Sequence, residues 1–279
     1  MFLRRLYYSL PVQWRYILRK WIYLPSDIVS YIGGTKKSLE PLKGDIFVGS
    51  GDFIGQGQIH LKVLRMYTQI RPESQVLDVG CGIGRTAVAL TSFLSEYGSY
   101  EGFDVVKKGI NWCKKKITSQ YTNFNFQHIP LHNDLYTSYK KQATQFKFPY
   151  PHNSFDITFL FSVFTHMPLS EIENYLFEIE RSLKPNGQCL ATFFTYSKKQ
   201  EEMIVAQKEF NFPISEGQIR IMDKKVKSAN VAIPIELLKS LAANSKLDII
   251  SYIEGYWKDN VPKTADNDFQ DIIVFQKRN

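Results

Sequence analysis

Cysteine is scarce in this sequence: Cys81, Cys113 and Cys189 stand far apart in a chain of 279 residues. An odd number of cysteines without CxxC spacing argues against a disulfide framework and against a zinc site. Histidine, cysteine and aspartate also form no group with the spacing of metal ligands, so we predict a metal-independent reaction. Reduced thiols are the simplest interpretation, and they favour a cytoplasmic location.

Long apolar runs are also lacking. No stretch of about 18 apolar residues occurs, so no membrane-spanning helix is predicted. Arg15, Arg19 and Lys20 interrupt the apolar residues near the N-terminus, which argues against a secretory signal peptide. The composition, 44% hydrophobic and 22% charged, is typical of a globular protein, and the net charge of +8 favours anionic partners only through steering.

Residues 1–45 form a basic and aromatic extension. Pro11 and Pro25 bound a predicted helix. Four apolar residues share one face of this helix: Trp14, Ile17, Leu18 and Trp21. The basic residues beside them allow two interpretations: an element of residues 1–32 on an anionic membrane surface, or a helix docked on the domain with a solvated basic edge. We favour the docked helix, which could also cover a substrate site.

From Gln75 onward, short apolar runs alternate with amphipathic segments. Five runs have the length and composition of buried strands: residues 76–79, 100–104, 124–128, 155–161 and 189–194. Such alternation is typical of a parallel sheet with helices on both faces. We therefore predict an α/β fold with a doubly wound, mostly parallel, seven-stranded Rossmann-like sheet, whose last two strands are residues 247–253 and 271–276.

The strongest signal is Leu77-Asp78-Val79-Gly80-Cys81-Gly82-Ile83-Gly84-Arg85, where a strand runs into glycines and a helix follows. Glycines let a ligand approach the backbone closely, and the free N–H groups of a helix start can face ligand oxygens. A nucleotide-like cofactor is therefore expected at the carboxyl edge of the first strand. Because Arg85 stands where a dinucleotide fingerprint needs its third glycine, a nicotinamide-dependent oxidoreductase is a weaker alternative.

This order of motifs resembles the class I S-adenosylmethionine-dependent methyltransferases. Four stretches carry the resemblance: VLDVGCGIGRTAVAL (76–90), EGFD (101–104), FDITFLFSVFTHM (155–167) and LKPNGQCLATFF (183–194). The resemblance covers residues 46–197 with good order and spacing, and residues 234–279 more faintly. Within that superfamily, the chain looks like a bacterial-type group with GSGDF ahead of the core and SVFTHM after the fourth strand.

The resemblance implies S-adenosylmethionine as the cofactor and places residues around it. Five loop residues would lie against the methionine moiety: Asp78, Gly80, Cys81, Gly82 and Gly84. Asp104, at the end of the second strand, would bind both ribose hydroxyls, since an ionised carboxylate can accept two donors worth roughly 1.5–3 kcal/mol each. The alternative role of Asp104 is that of an acid in a strand-end turn. Val105 would offer an apolar face to the adenine.

One departure from the family pattern concerns adenine. Pro130 stands where such enzymes often place an acid for the adenine amino group. We expect the backbone and Ile129 or Leu131 to hold the ring instead, unless Asn133 or Asp134 reaches in.

The segment from Ser162 to His166 follows the fourth strand, where the superfamily often faces its acceptor. Ser162 is assigned to the cofactor site. His166 is the candidate base for a hydroxyl acceptor, because the unperturbed pKa of histidine is near neutral. A histidine that packs or caps at the helix after Pro168 is an equal alternative. His60 and His152 are expected at the surface.

The predicted function is methyl transfer to an oxygen of a small-molecule or glycan acceptor, an in-line displacement that proximity accelerates. The alternative is a catalytically silent methyltransferase-fold scaffold that binds a membrane surface or a protein partner. Nucleic acid is not expected as a partner, because the lysines within residues 107–116 and 220–227 do not alternate with aromatic residues.

These expectations divide the chain into four parts. The N-terminal extension ends at residue 45, and residues 46–197 form the cofactor-binding core. Residues 198–233 form an inserted arm that caps the acceptor site. Residues 234–279 supply a helix and the last two strands of the core.

Overall fold

The computed structural model describes residues 12–34, 38–47, 51–133, 136–137, 139–224, 226 and 229–279, with the backbone alone at residues 12 and 13. The helices are α1 (Val12–Ile32), α2 (Phe53–Tyr67), α3 (Arg85–Leu90), α4 (Lys107–Cys113), α5 (Leu169–Ser182), α6 (Glu201–Ala206) and α7 (Ile235–Asn244). The strands are β1 (Gln75–Val79), β2 (Ser99–Asp104), β3 (Phe124–His128), β4 (Phe155–Leu160), β5 (Leu183–Tyr196), β6 (Ile214–Glu216), β7 (Ile219–Ile221), β8 (Val231–Pro234), β9 (Leu247–Ile253) and β10 (Asp271–Lys277). Several predictions lie outside the described residues: those on residues 1–11, on Gly49 and Ser50 of the GSGDF motif, on Asp134, and on Lys225 and Lys227.

Seven strands form the central sheet in the order β3-β2-β1-β4-β5-β10-β9. The first five pair in parallel, and β10 runs antiparallel between β5 and β9. The predicted doubly wound, mostly parallel sheet is therefore confirmed. Three short strands extend it to ten, because β8 pairs with residues 194–196 of β5 and continues into β7 and β6.

Helices cover both faces of the sheet, because side chains alternate between the two faces along each strand. On β1, Leu77 packs in one apolar cluster and its neighbour Val76 in the other. Helix α5 contributes Leu176 to the first cluster, and α4 contributes Ile110 to the second. This two-sided burial leaves the carboxyl ends of the parallel strands as the edge where a ligand can reach the backbone.

Helix α2 begins within a glycine-rich segment, residues 33–57. The carboxylate of Asp52 caps its first turn by accepting hydrogen bonds from the backbone nitrogens of Ile54 at 3.1 Å and Gly55 at 3.0 Å. Such a cap satisfies two of the free N–H groups of a helix start. Gly57 then permits close packing on α3, since a Cβ there would lie 2.5 Å from the carbonyl oxygen of Arg85.

Residues 198–233, predicted to form an inserted arm, contain α6 and the β6–β7 hairpin. Its core is an aromatic cluster that includes Phe194, Phe212 and Trp257. The rings of Phe194 and Trp257 meet edge to face with their centroids 5.2 Å apart, an arrangement that aromatic pairs prefer. The four-part division of the chain stays a prediction.

Helix α1 differs from the prediction in two ways. It continues through Pro25 to Ile32, whereas the sequence predicts that it ends at Pro25. Its basic edge is partly buried, since Arg15 is only 9% exposed. Its apolar residues face solvent instead, with Trp14 and Trp21 61% and 68% exposed. Within the described ranges, we find no helix whose length and apolar character would let it cross a membrane.

Candidate active site

A cavity of about 520 Å³ opens at the carboxyl ends of β1, β2 and β4. Nine of the residues predicted for the site line it: Asp78, Gly80, Cys81, Gly82, Asp104, Val105, Leu131, Ser162 and His166. Two predicted residues, Gly84 and Ile129, are not part of its wall. The topology thus brings most of the predicted residues into one place, although they come from four separate stretches of sequence.

The loop after β1 needs glycine for two different reasons. Gly80 has φ +80°, and a Cβ there would lie 2.5 Å from Cγ2 of Val163. Gly82, with φ +59°, is also in the left-handed region that favours glycine. Gly84 begins α3 at φ +78° and faces the core, where a Cβ would lie 2.8 Å from Sγ of Cys113. Gly80 and Gly82 therefore shape the cavity, while Gly84 serves packing.

Asp104 is fastened to this loop through its carboxylate. One oxygen accepts a hydrogen bond from the backbone nitrogen of Gly82 at 2.9 Å, and the other accepts one from Val106 at 2.7 Å. Burial raises the pKa of Asp104 to about 6, against the opposing effect of these backbone donors. Each carboxylate oxygen has a second lone pair, so the group can still accept hydroxyl donors from the cavity.

Asp78 is a second buried carboxyl on the cavity wall. It accepts a hydrogen bond from the hydroxyl of Tyr100 at 2.6 Å. Burial raises the pKa of Asp78 to about 8, and the charge of Asp104 adds to the rise. The two acids therefore differ in charge near neutral pH: Asp104 is mostly ionised and Asp78 is mostly protonated. Burial also raises the pKa of the neighbouring Cys81 thiol, which makes it a poor nucleophile.

Some of the residues predicted to hold adenine line the cavity. Val105 and Leu131 line the wall, and so does Asn133. Ile129 instead packs in the same apolar cluster as Leu131, away from the cavity. Glu171, a 6% exposed acid in the first turn of α5, also lines the cavity, and nothing in the sequence predicted it there. Its position in a helix with strong 3.6-residue periodicity carried no signal of a site.

Ser162 and His166 also line the cavity, from the loop and 3-10 turn after β4. The backbone nitrogen of Ser162 donates to Oγ1 of Thr192 at 2.7 Å, and its hydroxyl donates to Oε1 of Gln270 at 2.9 Å. The half-buried His166 ring meets the ring of Tyr136 edge to face at 6.4 Å. The loop of residues 268–270, before β10, lines the cavity as well.

The prediction that His60 lies at the surface is wrong. Its ring is half-buried on the cavity wall and stacks on Phe161 at 3.9 Å. Nδ1 lies 2.8 Å from Oγ1 of Thr86 in α3. Burial, together with the charge of Arg85, lowers the pKa of His60 to about 3, so the imidazole is neutral at physiological pH. His152, by contrast, is exposed as predicted.

A buried ion pair supports the wall formed by loop 268–270. Nζ of Lys258 lies 2.9 Å from Asp271 Oδ1, and both side chains are 0% exposed. The other oxygen of Asp271 accepts hydrogen bonds from the backbone nitrogen and hydroxyl of Thr195 and from the indole of Trp257. Asp271 directly follows the loop, so this network fixes one end of it. Among the described residues, no three or more His, Cys, Asp or Glu side chains group as metal ligands would.

Comparison with known proteins finds similarity to methyltransferases. A family model described as a methyltransferase domain matches residues 77–191, from β1 into β5. A sterol 24-C-methyltransferase of Yarrowia lipolytica is 28% identical over 195 residues, which are 68% of this chain and 47% of the relative. A 2-phytyl-1,4-naphtoquinone methyltransferase of Nostoc sp. is 24% identical over 148 residues, 53% of this chain and 58% of the relative. The chain thus spans about half the length of these curated relatives.

Solved structures share the fold. A structure of an S-adenosylmethionine-dependent methyltransferase from Methanosarcina mazei superposes with a TM-score of 0.51 at 18% identity. The superposition covers 77% of this chain and 97% of that structure. At this identity the likeness concerns the fold.

Proposed function

We propose that this chain is a class I S-adenosylmethionine-dependent methyltransferase that transfers a methyl group to an apolar small molecule bound in the cavity, and the methyltransferase-domain model over residues 77–191 supports this. The observation that carries this proposal is that Asp104 and the glycine loop line the same cavity as His166. Asp104 and the loop suit a cofactor, and His166 suits an acceptor.

The residues present fit the cofactor. Gly80 and Gly82 leave the loop backbone without side chains where the methionine moiety would approach. Asp104 is the acceptor for the ribose hydroxyls, and its attachment to the backbone of Gly82 orients it in advance. Val105 and Leu131 would contact adenine, in an apolar part of the wall. When bound there, S-adenosylmethionine supplies a methyl group on a positively charged sulfur, which leaves without a proton.

The cavity lining is rich in aromatic side chains, among them Phe47, Tyr136, Phe161 and Phe269. Such a lining favours an apolar acceptor, and the names of two relatives, a sterol and a naphthoquinone methyltransferase, agree with this class. We propose that a hydroxyl oxygen is methylated and that His166 receives its proton. A base of this kind accelerates proton transfer by about 10²–10⁴-fold.

A silent scaffold is the competing function. The basic aromatic N-terminus and the absence of an acid at Pro130 favour it, yet four acids line the cavity: Asp78, Asp104, Glu171 and Asp268. Asp104 already accepts two backbone hydrogen bonds, and its remaining lone pairs suit the hydroxyl donors of a ribose, for which a scaffold without cofactor has no use. This observation favours the enzyme.

Calorimetric titration with S-adenosylmethionine and its demethylated product tests the cofactor site. We expect micromolar binding to the wild type and a loss of at least about tenfold in Asp104→Asn, since a charge-assisted hydrogen bond is worth about 1.5–3 kcal/mol. Asp248→Asn is the matched control, because Asp248 is an exposed acid paired with Arg278 on the surface. Absence of binding to the wild type would refute the proposal and bring the scaffold forward.

The acceptor is then found by transfer of labelled methyl from the cofactor into candidate phenols, quinols and sterols. Label that passes into an organic solvent phase supports an apolar acceptor. Label that stays in water with a sugar would instead support the glycan acceptor that the sequence left open.

A further inference from the structure

Helix α1 presents its apolar side to solvent. Ten large apolar side chains along it are between 40% and 79% exposed: Trp14, Ile17, Leu18, Trp21, Ile22, Leu24, Ile28, Val29, Tyr31 and Ile32. With 3.6 residues per turn, they fall on one continuous half of the helix. We call this surface the apolar face of α1. A contiguous patch of this kind is typical of an interaction site.

The opposite side of α1 is polar, and it is the side that contacts the protein. Its half-buried or buried residues are Arg15, Tyr16, Arg19, Tyr23, Ser26, Asp27 and Ser30. The carboxylate of Asp27 accepts hydrogen bonds from the backbone nitrogens of Lys43 at 2.8 Å and Gly44 at 3.0 Å. These contacts determine the rotation of the helix about its axis. The apolar face is therefore exposed by a specific attachment of the polar side.

Lysines lie near one edge of the apolar face. Lys20, at its edge, has a side chain 59% exposed and lies 3.7 Å from Asp45. The same carboxylate pairs with Lys108 at 2.6 Å, which brings the start of α4 beside α1. Four more lysines on α4 and the turn after it are exposed: Lys107, Lys114, Lys115 and Lys116. An apolar helix face with lysines beside it complements an anionic lipid surface.

The docked side of α1 reaches the cavity wall. The ring of Tyr16 meets Phe47 edge to face at 5.8 Å, and Phe47 meets Tyr136 at 6.5 Å. Both Phe47 and Tyr136 line the cavity, and Tyr136 is in ring contact with His166. A continuous group of aromatic rings thus joins the docked side of α1 to the cavity.

We propose that α1 lies in the interface of an anionic bilayer, apolar face downward, and that the acceptor is a lipid-soluble molecule that enters the cavity from the membrane. The second part rests on the proposed function, whereas the first does not. Tryptophan favours the level of the lipid headgroups, and the chain has Trp14 and Trp21 on this face. An interfacial helix needs no spanning segment.

Vesicle sedimentation of the full chain tests the membrane contact, with phosphatidylcholine alone and with added phosphatidylglycerol. We expect binding to the anionic vesicles, weaker binding to the neutral ones, and at least about a tenfold loss in the double variant Trp14→Ser/Trp21→Ser. The matched control is Tyr97→Ser/Phe177→Ser, two side chains 75% and 45% exposed outside α1. Because the replaced side chains point to solvent, both variants should fold, which circular dichroism verifies.

Fluorescence with brominated lipids gives a second readout. The chain has four tryptophans. Bromine should quench Trp14 and Trp21, while Trp257, 2% exposed in the core, provides an unquenched reference. Equal vesicle binding by both double variants would overturn the proposal. So would a dimer that the Trp14→Ser/Trp21→Ser variant dissociates without any change in lipid binding, since a second copy would then cover the face.

These results are independent of the cofactor titration. Vesicle binding without cofactor binding would support the membrane contact and refute the proposed methyltransferase. Cofactor binding without vesicle binding would support the methyltransferase and refute the membrane contact.

Discussion

The carboxylate of Asp104 and the backbone nitrogen of Gly82 lie 2.9 Å apart, and this hydrogen bond joins the end of β2 to the loop after β1. The acid expected to hold a ribose is thereby held by the loop expected to hold the methionine moiety. A shift of either element would move both halves of the proposed cofactor site together.

Cofactor affinity should fall in acid as Asp104 becomes protonated. Burial raises the pKa of Asp104 to about 6, and only the ionised carboxylate can accept two hydroxyl donors without loss. Affinity should fall by up to about tenfold per pH unit below 6. Calorimetry between pH 5.5 and 7 measures this, below the range in which Asp78 ionises. In Asp104→Asn the same titration should be flat, and a wild-type slope retained in that variant would assign the effect to another group.

Gly80→Ala should destabilise the protein and weaken cofactor binding. Its positive φ strains any side chain, and the new Cβ would lie 2.5 Å from Val163. Gly217→Ala is the matched control, since it shares a positive φ, +62°, with open space around it. We expect a loss of about 1 kcal/mol in unfolding free energy for the control and at least about 2–4 kcal/mol for Gly80→Ala. Urea unfolding measures both. Equal losses of unfolding free energy would show that the Val163 side chain moves aside at little cost.

Stability without cofactor should decrease as pH rises from 6.5 to 8. Burial raises the pKa of Asp78 from 3.8 to about 8, so over this range the folded state binds a proton that the unfolded state has released. The free energy of unfolding should then fall by roughly 1–2 kcal/mol. Asp78→Asn keeps an acceptor for Tyr100 and stays neutral, so its decrease should be smaller. Urea unfolding measures the free energy of unfolding of both proteins at each pH. An equal decrease with pH in the wild type and in Asp78→Asn would contradict the assignment to Asp78.

Lys258→Met should destabilise the protein strongly. It leaves the buried carboxylate of Asp271 without its cation, and breaking such a pair costs about 3–5 kcal/mol. Lys239→Met is the control, because Lys239 pairs with Glu236 on an exposed helix surface where an ion pair is worth about 0–1 kcal/mol. Thermal unfolding compares the two. Similar melting temperatures would show that the Thr195 and Trp257 donors suffice for Asp271.

His166→Gln should lower kcat by about 10²–10⁴-fold once an acceptor is identified, with a much smaller change in KM, because a base acts mainly in the transition state. Cofactor affinity should stay at the wild-type value. His152→Gln, at an exposed position, is the control. A loss confined to KM would make His166 an acceptor-binding residue instead of the base.

Much of the fold follows from local pattern. The observed strands begin and end within one or two residues of the predicted runs at β1 to β4, β9 and β10. A short apolar run between two amphipathic helices is long enough for a buried strand and too short for a helix. The glycine loop and Asp104 were also predictable, because they belong to one contiguous strand–loop–helix unit and to the end of the next strand.

His60 and Glu171 could not be found in this way. Each lies on a helix whose periodicity shows which residues share a face but not what the polar residues meet. Only the packing of α2 on α3 places the His60 ring at Thr86, and only the position of α5 places Glu171 on the cavity wall.

Helix α1 shows the same limit most clearly. The sequence by itself determined that one half is apolar and the other polar, because that depends on spacing alone. The tertiary structure decided which half faces the protein: hydrogen bonds from the backbone at residues 43 and 44 to Asp27 hold the polar side inward. Amphipathic spacing is the same whichever side docks, so only the contacts across the interface could settle the orientation.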